Sequence, residues 1–145
     1  MRVPRSRVEE WLRVLSRVEE LAGRLRARLG PVTLVLHGSY ARGDFNLWSD
    51  VDVIIVSPAF EGLRVLDRYD PLLDLLPPGF EAIPMTPREL RRALEKPAWR
   101  QALARGYIIV ADDLSLEPLL KRAAGPPRSL RELKRSLREL LAGTA

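Results

Sequence analysis

The chain contains no cysteine and a single histidine, His37. The first absence removes disulfides, thiolate metal ligands and cysteine nucleophiles together. The second rules out a histidine-rich zinc site. Any metal must then be oxygen-bound, and hard carboxylate ligands select magnesium, with manganese as the alternative. There is also no run of about 18 apolar residues, and the first 30 positions carry Arg and Glu throughout, where a signal peptide needs an apolar stretch. The expectation is a cytoplasmic protein with no membrane partner. No internal repeat or low-complexity tract is present, and 145 residues with 46% apolar and 30% charged composition suit one folded domain over residues 1–145.

The net charge of +5 admits a nucleic acid, an acidic protein or a nucleotide as partner. Most arginines lie in Arg/Glu-mixed helical segments, which reads as solvated helix faces rather than a single-sign block. No aromatic-basic motif favours nucleic acid, which stays open without being preferred.

Within residues 6–28, Val8, Trp11, Leu12, Leu15, Val18, Leu21 and Leu25 recur at three- and four-residue spacing, which predicts a helix. Ser6 and Glu9 have the spacing of a capping box at its start. After Gly30-Pro31, the continuous apolar run 32–36 predicts a strand covered on both faces, and 51–56 a second of the same kind. Residues 63–76 read as a helix that Pro71 kinks or divides. Phe80 to Met85 reads as a strand that Pro84 pushes to a sheet edge.

Thr86-Pro87-Arg88-Glu89 opens a helix that Pro97 splits. Residues 107–110 form a short strand, followed by a helix to about residue 123 capped by Asp112 or Asp113. Past the linker Gly125-Pro126-Pro127, Ser129 and Glu132 open a last helix with a stripe of Leu130, Leu133, Leu137, Leu140 and Leu141. That stripe either packs back on its own domain or meets a partner. The core is placed at about 30–112 and the helical extension at about 113–145.

Two carboxylates, Asp50 and Asp52, interrupt an otherwise apolar strand. Residues i and i+2 of a strand share a face, so the pair projects side by side and its like charges repel. Either both side chains reach water at a strand end, or divalent metal sits between them, as in sites that hold two ions about 3.5–4 Å apart for displacement at phosphorus. Gly38-Ser39 leaves the preceding strand at a sharp turn, where backbone N–H groups can approach an anion at a helix N-terminus. Arg42 has the planar fork for phosphate oxygens, or it pairs with Asp44. Ser49 either contacts nucleotide or caps a turn. His37, Tyr40 and Trp48 read as packing residues, and Asp67, Asp70 and Asp74 as surface charge.

Gly38-Ser39, ten intervening residues, then Asp50-x-Asp52 resembles the signature of the DNA polymerase β nucleotidyltransferase superfamily. Gly-Ser-Tyr-Ala-Arg-Gly-Asp followed by Ser-Asp-Val-Asp is similar to its stand-alone minimal nucleotidyltransferases, of the kind paired as antitoxins with helical HEPN ribonucleases. The likeness is specific over 36–56, looser to about 110, and does not reach the flanking helices. It implies an α+β fold, a small mixed sheet backed by helices, with N- and C-terminal helices.

The same likeness implies a triphosphate held by Gly38, Ser39, Arg42 and Ser49, and two magnesium ions held by Asp50, Asp52 and a third carboxylate. Glu81 matches that third position, between Phe80 and Ala82 and before the Thr86 helix start, although the family often has Asp there. The implied activity moves NMP, in particular AMP from ATP, to an acceptor hydroxyl, with a tyrosine of a HEPN-type protein partner as the leading acceptor. A small molecule or RNA as acceptor, and a nonenzymatic nucleotide-binding or interaction module, are the alternatives.

Overall fold

A computed structural model describes residues 3–143. Along the chain run α1 (Arg5–Leu29), β1 (Thr33–His37), α2 (Ser39–Arg42), β2 (Val51–Val56), β3 (Phe80–Met85), α3 (Pro87–Ala93), α4 (Pro97–Ala104), β4 (Tyr107–Asp112), α5 (Glu117–Ala124) and α6 (Leu130–Gly143). The strands form one sheet in the order β3-β2-β1-β4. β1 pairs antiparallel with both β2 and β4, and β3 pairs parallel with β2, so the sheet is mixed. The two continuous apolar runs became the central strands. Pro84, which lacks a donor for a second neighbour, sits on the edge strand β3.

Each sheet face has its own core. On one face, Leu34, Leu36, Val53 and Ile55 pack with Val14, Leu15, Val18 and Leu25 of α1 and with Leu133 and Leu137 of α6. On the other, Val35, Ile54, Val56 and Met85 pack with Leu90, Leu103 and Leu120 from α3, α4 and α5. The apolar stripe of α6 is thus covered largely by its own domain, with Leu140 left exposed. Lys134 of α6 also pairs with Glu19 of α1.

Several local expectations are corrected. α1 begins at Arg5 with Pro4 as its cap, because the Pro4 carbonyl accepts from the N–H groups of Arg7 and Val8. Ser6 therefore lies inside the helix and caps nothing, and Glu9 pairs with Arg5 one turn away. Residues 63–76 are not an α-helix: Val65–Leu72 is a 3-10 helix holding Pro71, whose missing N–H cannot sustain the α pattern. Asp112 caps α5 from a distance, its carboxylate accepting from the N–H groups of Leu116 and Glu117, while Asp113 turns to Arg26. No helix among the described residues is long and apolar enough to cross a membrane.

Candidate active site

The sheet register lines up the chemistry. Asp52 on β2 lies opposite His37 on β1 and opposite Glu81 on β3. Directly opposed residues share a face, so His37, Asp52 and Glu81 form one row across three strands. Val35, Ile54 and Ile83, two positions further along each strand, put that row on the face covered by α3, α4 and α5, at its open end. Asp50 precedes β2 by one residue and continues the alternation of Asp52.

Asp52 is half-buried, and burial together with the negative charge of Asp50 pushes its carboxyl above the usual carboxylate range, against a smaller opposing pull from Arg42. A divalent cation would relieve that strain. His37 is lowered by burial and by Arg42, so its ring is neutral at physiological pH. Its Nε2 is buried and finds no hydrogen-bond partner among the described residues. A buried nitrogen left unpaired costs about 1–3 kcal/mol. His37 and Asp52 line a cavity of about 460 Å³ whose other walls include Tyr69, Leu76, Phe80, Glu81 and Ile83.

Gly38 caps α2 with φ 75°, a conformation that side chains resist, and the space a Cβ would take there is filled by the Asp52 carboxylate. The turn and the carboxylate are thus in direct contact. The Gly38 carbonyl accepts from Ala41 and Arg42, and the N–H groups of Ser39 and Tyr40, the first two of α2, have no intrahelical partner. Those groups are the ones a phosphate oxygen would take. Gly43, at φ 102°, then closes α2 under the Trp11 ring.

Arg42 forms the ion pair with Asp44 that its sequence allowed. Its Nε is 3.2 Å from the Asp44 carboxylate, and its charge reaches Asp52 and His37. Ser49 serves the turn: its Oγ accepts from the Asn46 N–H at 2.9 Å, and the Asn46 side chain accepts from Trp48. Asp50, Asp52 and Glu81 do not close into a ligand set as they stand; among the described residues no three acidic or histidine side chains converge on one point. Asp50 and Glu81 are exposed, and bare carboxylates held together repel. The donor set is nonetheless all oxygen, which fits magnesium.

One assignment from sequence needs revision. Trp48 does not pack: it is 90% exposed and its neighbour Leu47 94%. Tyr40 does pack, stacking on Phe45 with ring centroids 4.3 Å apart. Tyr69 was not singled out from sequence; its hydroxyl donates to the Ala82 carbonyl at 3.0 Å, which brings the ring to the cavity from the 3-10 helix. No local motif marks it, because the contact spans 13 residues. Asp74 pairs with Arg28 and Asp67 with Arg64, away from the Asp52 row, as surface charge.

The structure is similar to that of a candidate nucleotidyltransferase from Sulfolobus solfataricus, at 24% identity and a TM-score of 0.56, over 63% of this chain and 84% of that one. This likeness concerns the fold. No curated protein matches the chain. The sequence profile of the nucleotidyltransferase domain matches residues 18–118, which takes in the second half of α1 and the start of α5 beyond the motif itself. With most of the chain matched and the α+β fold in agreement, the chain belongs to the nucleotidyltransferase domain family.

Proposed function

We propose that this nucleotidyltransferase moves AMP from ATP to the hydroxyl of a tyrosine on a helical HEPN-type protein partner, as the antitoxin of such a pair. The observation that carries the transfer reaction is the contact between the Gly38 turn and Asp52. It sets the turn whose free N–H groups would take phosphate directly against Asp52, an arrangement suited to phosphoryl chemistry.

Asp50, Asp52 and Glu81 would hold the divalent metal, which when bound supplies Lewis-acid neutralisation of phosphate charge. The protein's own groups do the positioning. Gly38 and Ser39 present N–H groups to the triphosphate, and Arg42 adds a planar fork on the side away from Glu81. The neutral His37 ring lies opposite Asp52 and adds no charge to the site.

Support for a protein acceptor comes from Leu47 and Trp48. A soluble domain seldom leaves two adjacent large apolar side chains this exposed without a partner for them. They sit on a turn tied by Asn46 and Ser49, immediately before Asp50, where an acceptor must approach. An aromatic anchor beside an aliphatic one suits a pocket on a protein. α6 does not serve this purpose, since most of its stripe lies against α1.

The test is incubation with ATP labelled at the α-phosphate, magnesium and a helical HEPN-type protein, taken from a neighbouring reading frame where one encodes it. Label transferred to a tyrosine of that protein, and lost with Asp52→Asn, is the expected result. Co-purification without labelling would overturn the assignment of the acceptor.

A further inference from the structure

A second concave site lies on the opposite flank of the sheet from Glu81, along the outer edge of β4. It has a volume of about 600 Å³. Five cations from three separate segments meet there: Lys121 of α5, Arg128 of the linker, and Arg131, Lys134 and Arg138 of α6. The carboxylates on its wall are Glu19 and Glu117. The groove therefore carries a surplus of three positive charges, more than half of the chain's net +5.

The linker creates this groove. The Tyr107 hydroxyl donates to the Gly125 carbonyl at 2.6 Å, and the Arg128 N–H donates to the Tyr107 carbonyl at 2.8 Å, pinning both ends of the turn to β4. Between them, Pro126 and Pro127 have no N–H and cannot add a fifth strand. Ile109 and Val110 are left as a floor, with α6 as the far wall.

Arg131, Lys134 and Arg138 stand at i, i+3 and i+7, one face of α6, over roughly 10 Å at 1.5 Å per residue. Glu19 engages Lys134 and Glu117 lies 3.7 Å from Lys121. Arg131 and Arg138 have no ion pair among the described residues. Arg128 donates to the carbonyls of Ala41 and Arg42, so the groove adjoins the end of α2.

A linear row of cations with no aromatic ring on the groove walls reads a repeating anion rather than bases. We infer that this groove binds the phosphodiester backbone of a single-stranded nucleic acid, independently of base sequence and of the acceptor assigned above. A concave cleft between a strand edge and a helix admits one chain, whereas the convex side of a duplex meets only its rim.

Fluorescence anisotropy with a labelled single-stranded RNA dodecamer, and with DNA of the same sequence, tests this on the full chain. Arg131→Glu with Arg138→Glu should weaken binding by at least about tenfold, and flatten the slope of log affinity against log salt by about 1.4, the contribution of two phosphates on a single strand. Arg131→Lys with Arg138→Lys should retain most of it. The control Arg91→Glu with Arg92→Glu, the same charge change on α3, should lose no more than about twofold. Asp52→Asn should bind like the parent, so binding is read apart from catalysis.

Equal loss with both Glu pairs would show a response to net charge alone and overturn the site. Absence of binding at low salt, equal binding of a duplex, or displacement by a polyglutamate peptide at equal charge would also overturn it. RNA and DNA binding alike identifies the phosphate backbone as the shared ligand; preference for RNA adds the ribose hydroxyl.

Discussion

The carboxylate of Asp52 occupies the space that a side chain on Gly38 would need, and Gly38 holds φ 75°. The two residues are 14 positions apart in sequence but touch across the β1–β2 turn. Gly38→Ala should therefore cost on two counts, strain in the left-handed region and displacement of Asp52. A loss of about 2 kcal/mol in denaturant unfolding, with transfer activity reduced at least about a hundredfold, is expected.

Asp52→Asn should remove transfer while keeping the fold. Because burial and Asp50 raise the folded carboxyl above its ordinary value of 3.8, the folded state binds more protons than the unfolded state between the two values. Metal-free stability therefore falls as pH rises through that window. Thermal unfolding at neutral pH without metal should show the Asn variant equal to or above the parent, and a clear fall in melting temperature would remove the electrostatic argument for a cation site.

Trp48→Ala changes a side chain that is 90% exposed, so unfolding free energy should move by no more than about 0.5 kcal/mol. Nucleotide binding, read by titration calorimetry with ATP and magnesium, should hold, while labelling of the protein acceptor drops about tenfold or more. Equal labelling would separate the exposed tip from acceptor docking.

Arg68 is buried, and its guanidinium meets Glu89 at 2.5 Å and the Pro84 carbonyl at 3.2 Å. Glu89 also accepts from the Thr86 N–H, closing the capping box of α3. Arg68→Met should cost about 2–3 kcal/mol, at the lower end for a buried pair because Glu89 keeps water on one side. Arg68 and Thr86 together hold the Glu89 carboxyl below its ordinary value, so the stabilisation is present above about pH 4.5 and is lost as pH falls through the lowered value. Acid unfolding should begin at higher pH in the variant than in the parent.

Leu137 is 3% exposed and joins α6 to the core beneath α1. Leu137→Ala should cost about 2–4 kcal/mol through the cavity it leaves. Hydrogen exchange should show α6 and the facing surface of α1 losing protection together.

The central pair of strands and Asp50-x-Asp52 were readable in sequence because each depends on local pattern: a doubly covered strand is a continuous apolar run, and strand alternation sets two carboxylates on one face. The edge position of β3 followed from the missing donor of Pro84. The glycines of the α2 turn signalled backbone freedom. Periodicity over long windows likewise placed α1 and α6.

Other features depend on groups that sequence separates. Ser6 and Ser129 both precede a glutamate at i+3, yet only Ser129 accepts the N–H of its glutamate, because Pro4 had already started α1. The place of Glu81 in the row was settled by parallel register with β2 rather than by the residue itself. Trp48 looks like core in a list of apolar residues, and only the turn tied by Asn46 and Ser49 turns it to solvent.

The basic groove is the clearest case of this division. In sequence, Lys121 and the α6 arginines lie among glutamates and read as solvated helix faces, while Arg128 simply follows the proline linker. What the chain alone determined was which segments form helices and strands and where two carboxylates alternate, since those follow from neighbours within a few residues. What only the tertiary structure decided was which charges meet, because Tyr107 pins a proline linker that cannot pair as a strand, and that constraint folds α6 beside β4 with its cations facing one cleft.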